Sequence, residues 1–320
     1  MGTAAAGQPV TVGHPGPPTG AGVDAGVDAV VVAFGAADLL DECLRVLGPS
    51  IPVTVVDNSS DPEVREVVGR HRGGYIDPGS NRGFAAGVNI GLAHRPGTGD
   101  VLLLNPDASI TPDAVAELSH LLHSSDDLAC VAPAQVDPDT GEAARVDWPF
   151  PTPAQAWLDA LGLGRRLRRP TFLIGSILLI RAEALVDVGR FDEHFFLYAE
   201  ETDWQRRAHE LGWGTRLCPE VVATHVGAGT GGDRSEREIH FHASNERYVR
   251  KHDGPVGWAI FRAGVMAGAA VRALVLPGER GREAAARFRL YLHGPLRSEA
   301  ERSGAERSGA DRSGADRSGA

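Results

Sequence analysis

The chain is poor in the residues that would place it in several large classes of protein. Of its 320 residues three are cysteines, Cys43, Cys130 and Cys218, too far apart for a CxxC motif. They suit a reducing, cytoplasmic setting as small buried hydrophobes. A basic excess is also missing: 32 Lys and Arg stand against 42 Asp and Glu, a formal net charge of −10. That balance excludes a general nucleic-acid binder. No uninterrupted apolar run reaches membrane-spanning length, the nearest being "GWAIFRAGVMAGAAVRALVLPG" at 257–278, broken by Arg262 and Arg272. Residues 1–27 contain neither Lys nor Arg and no apolar core, so no secretory leader is expected there. The turn after the first apolar run reads "FGAAD" and lacks G-x-G-x-x-G, which argues against a dinucleotide enzyme.

What is present is a run of alternating elements. "AVVVAF" (29–34), "PVTVVD" (52–57), "GGYID" and "DVLLLN" read as strands; "ADLLDECLRVL", "DPEVREVVGRH", "GFAAGVNIGLAH" and "TPDAVAELSHLLH" between and after them have helical spacing. Asp61 and Thr111 are expected N-caps, each followed by proline at the first helical position. Strands apolar throughout and alternating with helices predict an α/β fold with a mostly parallel, Rossmann-like sheet covered on both faces. "TFLIGSILLIRAEAL" reads as a further core strand, a helix begins near Glu201, and "TRLCPEVVATHVGAG" closes as a strand ending on His225. Domain boundaries follow: a tail over 1–27, the main domain over 28–250, amphipathic helices over 251–297, and a disordered tail of "ERSGA"-type repeats over 298–320. The segment 257–278 and the basic "ERGREAAARFRLYLHGPLR" after it suit either helices packed on the body or helices lying on an anionic membrane face. The basic stretch "GRRLRRP", 164–170, reads as a solvated loop or a phosphate-facing patch.

Ligands of such sheets bind beyond the carboxyl ends of the strands. Three ends here are polar: "AFG" after the first strand, "DNSSD" after the second, and Asn105-Pro106-Asp107 after the fourth. Each is also a competent turn. "EETD" at 200–203 adds three acids in four residues, more than the first turn of a helix requires for its dipole.

In order, "VVDNSS", "NRGFAAGVN", "NPD", "GSILLIRAEALVDVGRFDEHFFLYAEETDWQRRAHELGW" and "THVG" resemble the family 2 glycosyltransferases, in particular their bacterial rhamnosyltransferase branch. The resemblance covers about residues 28–250. It implies a GT-A fold, a dTDP- or UDP-sugar donor, a divalent cation (Mn²⁺ or Mg²⁺), inversion at the anomeric carbon, and a glycan or polyprenyl-pyrophosphate-linked acceptor at the inner face of the cell membrane. By the same resemblance Ala33, Phe34, Asp57, Asn58, Asn81, Arg82, Gly83, Asn89 and Asn105 face the donor, Asp57 accepting from the base. Asp107 and His225 hold the metal, where a carboxylate suits a hard cation and an imidazole favours Mn²⁺. Glu201 is the base, with Glu200 and Asp203 orienting it or raising its pKa.

Two departures stand out: Asn105 replaces the first carboxylate of the family's Asp-x-Asp, and Glu201 stands where an aspartate is usual. They keep a non-catalytic nucleotide-sugar-binding relative in view. A sugar nucleotidyltransferase would want a Gly-rich, basic loop after the first strand, and "AFGAAD" offers none.

Overall fold

The first strand, β1 (Val27–Ala33), is β-branched and buried from its second residue on, so it belongs at the centre of a sheet. The computed structural model describes residues 26–164, 169–227 and 234–302. In chain order α1 (Ala37–Leu47), β2 (Val53–Asp57), α2 (Pro62–Arg70), β3 (Gly74–Ile76), α3 (Phe84–His94) and β4 (Asp100–Leu104) complete a parallel unit ordered β3-β2-β1-β4. Asp61 and Thr111 cap α2 and α4 (Pro112–Leu122) as expected, their side chains accepting from Glu63 N and Ala114 N.

The second half departs from strict parallelism. β5 (Ala108–Ser109) precedes α4, and β6 (Leu128–Val136), β7 (Ala143–Ala144), β8 (Asp147–Pro149) and α5 (Pro153–Ala160) follow it. The expected single strand over "TFLIGSILLI" is two. β9 (Thr171–Leu173) pairs with β8 in a separate ribbon, and β10 (Ile177–Ile180) runs antiparallel between β4 and β6. Ile174-Gly175-Ser176 is the break between them, and it turns out to matter for the site. After α6 (Ala182–Val188) and α7 (Glu200–Glu210), β11 (Gly214–His225) lies parallel to β6 and receives β5 antiparallel at the edge. Among the described residues nine strands share this sheet, parallel over most of its registered length.

Helices cover both faces. Leu40, Leu44, Leu47, Val64, Leu118 and Leu122 pack with Val31, Leu102 and Leu104 on one side; Val88, Trp204 and Ala208 pack with Val30, Leu103 and Ile180 on the other. Each Val, Leu or Ile among them contributes roughly 1.5–3 kcal/mol on burial. Cys43, Cys130 and Cys218 are free and buried. A third cluster, built on Phe150, Phe195, Tyr248, Trp258, Phe261 and Tyr291, fastens α8 (Arg234–Val275) and α9 (Gly278–His293) to α5 and the loop before α7. α8 breaks at Gly254 (φ 71°), with Pro255 opening its second half. By length and hydropathy Ser235–Val275 is the one helix among the described residues able to cross a membrane.

Residues 295–302 are helical, and Glu299 is buried on His240 and Arg247, so the ordered body extends past the expected boundary at 298. The remaining repeats, the first 25 residues and the centre of the 164–170 basic stretch lie outside the described residues.

Candidate active site

The carboxyl ends of β1, β2 and β4, and the start of β10, define one rim. On it Asp107 and His225 meet because β5 and β11 pair with Ala108 opposite His225. The His225 Nε2 lies 3.3 Å from Asp107 Oδ1, and Val226 N donates to the Asp107 carbonyl at 3.0 Å. Asp107 is only 6% exposed, yet its Oδ1 accepts no hydrogen bond among the described residues. A buried carboxylate oxygen without a donor, facing an imidazole, is a donor set that fits a divalent cation with substrate oxygens completing the shell. Beside it, the backbone N–H of Asn105 donates to Ser176 O at 2.8 Å, while its carboxamide takes no partner among the described residues.

Across the Gly175-Ser176 dipeptide from Asn105 stands the acidic turn. α7 is approached through two successive left-handed residues, Tyr198 and Ala199 (both φ 66°). A non-glycine residue there costs on the order of 1 kcal/mol or more, and such strain gathers at functional sites. It sets Glu200 and Glu201 on the first turn, each with a buried carboxylate oxygen lacking a partner among the described residues. The Glu201 side chain lies against Gly175, where an added Cβ would sit 3.4 Å from the Glu201 Cβ and Cγ. Burial pushes both carboxyls above the usual glutamate range, and the charge of Glu201 pushes Glu200 further. Backbone N–H groups, including that of Gly175, offset part of the rise at Glu201. Two carboxyls so buried and so close resist ionising together.

Asp203 does not belong to this pair. It is fully buried and its carboxylate binds Lys251 Nζ (2.6 Å), His252 Nε2 (2.9 Å) and Arg207 Nε (3.0 Å). Burial works upward on its pKa, but the hydrogen bonds from His252 and Lys251 win and hold it below the usual aspartate range. Its task is to fasten α7 to α8, not to orient Glu201.

The expected donor-facing residues divide in the same way. Phe34 is half exposed beyond the end of β1, while Ala33 is buried and its carbonyl accepts from Asn58 N at 2.8 Å. The Asp57 carboxylate already accepts from Ser59 N, Ser59 Oγ, Asp61 N and Tyr75 Oη, so a base donor there would compete with the chain's own groups. Asn58 ties its loop to the next one, donating to Gly83 O at 3.1 Å and accepting from Arg82 N at 3.3 Å. Asn81 accepts from Gly83 N at 3.0 Å, and the Arg82 side chain is exposed.

At Gly83 (φ 81°) the close approach is made by the chain itself. A Cβ would stand 2.5 Å from Phe196 O, and that carbonyl also accepts from Phe84 N at 2.7 Å. The start of α3 is thus covered by the segment before α7. Asn89, expected on the donor, is buried and spends its amide on that segment: Nδ2 donates to Phe191 O (2.9 Å) and Glu193 Oε1 (2.8 Å), and Oδ1 accepts from Phe191 N (3.0 Å). It is a fastening for the loop that carries Tyr198 and Ala199.

Gln135 was not foreseen. It sits near the end of β6, 1% exposed, its Oε1 accepting from Ser176 Oγ at 2.9 Å and its Nε2 unpartnered among the described residues. The signal was available, since a polar residue closing the apolar run "LACVAPAQV" is another polar strand end.

The fold defined by this rim is found in solved transferases. A mannosyltransferase of Pyrobaculum calidifontis, in complex with GDP-Man and Mn²⁺, superposes with a TM-score of 0.54 at 18% identity, covering 85% of this chain and 82% of that one. It places the architecture in the GT-A class. Residues 28–189 match the sequence model described as Glycosyl transferase family 2, and the chain belongs to that family. The low-salt glycan biosynthesis hexosyltransferase Agl10 of Haloferax volcanii is 29% identical over 181 residues, 53% of this chain and 57% of that protein. The N-acetylglucosaminyl-diphospho-decaprenol L-rhamnosyltransferase of Mycobacterium tuberculosis is 29% identical over 238 residues, 65% of this chain and 76% of that protein.

Proposed function

We propose that the protein is an inverting glycosyltransferase that moves a sugar, L-rhamnose from dTDP-rhamnose foremost, onto a hydroxyl of a polyprenyl-pyrophosphate-linked glycan in bacterial envelope synthesis. The observation that carries the reading is the Glu200–Glu201 pair, buried with an oxygen on each that is unpartnered among the described residues, Glu201 lying against Gly175, whose neighbour Ser176 accepts from Asn105 N at 2.8 Å. Two buried acids pushed up together are costly for folding and are what a base near neutral pH needs. The mycobacterial relative's name supports both the deoxyhexose and the lipid-linked acceptor.

In this reading the ionised Glu201 takes the proton of the acceptor hydroxyl. The oxygen attacks the anomeric carbon on the face opposite the nucleoside diphosphate, whose C–O bond breaks as the new one forms. The nucleoside diphosphate leaves with the bonding pair, and Glu201 is left protonated. Glu200 beside it, raised by burial and by the charge of Glu201, disfavours a second charge in the same pocket. A divalent cation held by Asp107 and His225 would supply Lewis-acid stabilisation of the leaving diphosphate. The Asn105 carboxamide and the Gln135 Nε2, unpartnered among the described residues, offer neutral donors to sugar or phosphate oxygens.

The test is release of nucleoside diphosphate across a panel of dTDP-, UDP- and GDP-sugars, with Mn²⁺, Mg²⁺ or chelator, in the presence of a polyprenyl-pyrophosphoryl N-acetylglucosamine. Acceptor-dependent release of dTDP from dTDP-rhamnose is expected. Turnover of none of the donors, by a protein that binds dTDP, would overturn the reading in favour of a non-catalytic binder.

A further inference from the structure

The second half of α8 carries an apolar face that nothing in the described residues covers. Val256, Ile260, Ala263, Ala267, Val271 and Leu274 recur at three- and four-residue spacing and line one side of the helix. Leu274 is 88% exposed, Val256 70% and Val271 56%. From Pro255 to Val275 the ridge is roughly 30 Å long. The opposite side is committed to the body. Trp258 and Phe261 are buried there, and Gly264 and Gly268 let α5 approach so closely that a Cβ at either would meet α5 backbone atoms at 3.1 Å. Arg262 and Arg272, which interrupt the run in sequence, lie off the ridge: Arg262 donates to Tyr291 O and Leu292 O, and Arg272 to Asp159 O.

We propose that this ridge docks on an anionic lipid bilayer, with the helix lying in the plane of the membrane. Charge selects the partner. Residues 254–297 hold seven arginines against two glutamates, Glu279 and Glu283, in a chain whose net charge is −10. Arg280 and Arg282 flank Gly281, which packs on the Ala273 and Leu276 carbonyls at the end of the ridge; both are exposed and form no ion pair among the described residues. Trp157 of α5 stands at the margin, 39% exposed, its Nε1 donating to Ile260 O at 3.1 Å. An aromatic with one wet and one apolar edge is at home at headgroup depth. A second copy of the chain is a poor occupant, since a two-fold contact would bring this basic region against itself. A spanning orientation would strip α5 and α9 from the buried side of the helix. The apolar ridge, the free arginines and the acidic remainder of the molecule together suit a surface that attracts one pole and repels the other.

The surface deepens the function proposed above and rests on it for its purpose, which is to bring the rim to an acceptor held in the bilayer. Its test needs neither donor nor acceptor, so the two readings fail separately. The full chain is floated with vesicles of phosphatidylglycerol and phosphatidylcholine, and with phosphatidylcholine alone. Flotation with the anionic vesicles only is expected, reduced at least about tenfold by Ile260→Glu with Leu274→Glu, and likewise by Arg280→Glu with Arg282→Glu, at unchanged melting temperature. The arginine pair decides the matter if the apolar pair fails to fold. Absence of flotation by the unaltered chain, flotation of both variants at the level of the unaltered chain, or a dimer in sedimentation that Ile260→Glu with Leu274→Glu dissolves would each overturn the proposal.

Discussion

The His225 imidazole stands 3.3 Å from the Asp107 carboxylate across the antiparallel pairing of β5 with β11. Under the proposed function, one carboxylate and one imidazole would hold a divalent cation weakly alone and more firmly with a diphosphate completing the shell. Asp107→Asn and His225→Ala are each expected to weaken Mn²⁺ binding in the presence of dTDP by roughly 10–100-fold, with little change in melting temperature without metal. Calorimetric titration of Mn²⁺ into the dTDP complex measures it.

Glu200 gives a stability signature independent of activity. Its carboxyl is raised in the folded protein above the ordinary 4.5, first by burial and then by Glu201. The folded state therefore holds that proton more tightly than the unfolded chain. Ionising the group as pH rises from the ordinary value to the raised one lowers stability. Glu200→Gln removes that cost. The variant is expected to melt above the parent at neutral pH, the gain shrinking as pH falls toward 4.5, in thermal scans across that range.

Asn89 and Gly83 hold the segment that strains Tyr198 and Ala199 into place. Asn89→Ala deletes three hydrogen bonds from a buried position and leaves the Phe191 N–H without its partner. A loss of about 2–4 kcal/mol in denaturant unfolding is expected. Gly83→Ala should lower kcat beyond its effect on stability, because a Cβ at 2.5 Å from Phe196 O must push the segment off α3.

Lys251, the chain's one lysine, bridges Asp192 and Asp203 at 2.7 and 2.6 Å. Because His252 and Arg207 remain on Asp203, Lys251→Met should cost less than the roughly 3–5 kcal/mol of a fully stranded buried charge. Asp203 is held below its ordinary 3.8, so its pairing stabilises fully above that value and is lost as pH falls through the lower folded one. The difference between Lys251→Met and the parent should narrow in the same window, read by unfolding at several acidic pH values.

Much of the frame was legible because its causes are local. The caps Asp61 and Thr111, the apolar strands and the polar strand ends all act over a few residues, and the structure reproduces them. The meeting of Asp107 with His225 and the setting of Glu201 followed from an ordered set of motifs. What stayed hidden depends on distant partners. Asn89 looks like a loop-to-helix polar residue until Phe191 and Glu193 arrive from 102 and 104 residues away. Asp203 reads as a third member of an acidic cluster until Lys251 and His252 claim it from the next helix. The break at Gly175-Ser176 sits inside an apolar run whose period does not announce it, and it is there that Glu201 and Asn105 are brought near one another.

The central claim, that Glu201 is the base, is tested most directly by comparing Glu201→Gln with the parent in sugar transfer and in dTDP binding. The account predicts kcat lower by about 10²–10⁴ with the nucleotide dissociation constant unchanged, and a far smaller loss for Glu200→Gln, which keeps the side chain's shape beside the base. Transfer by Glu201→Gln within about threefold of the parent would contradict it.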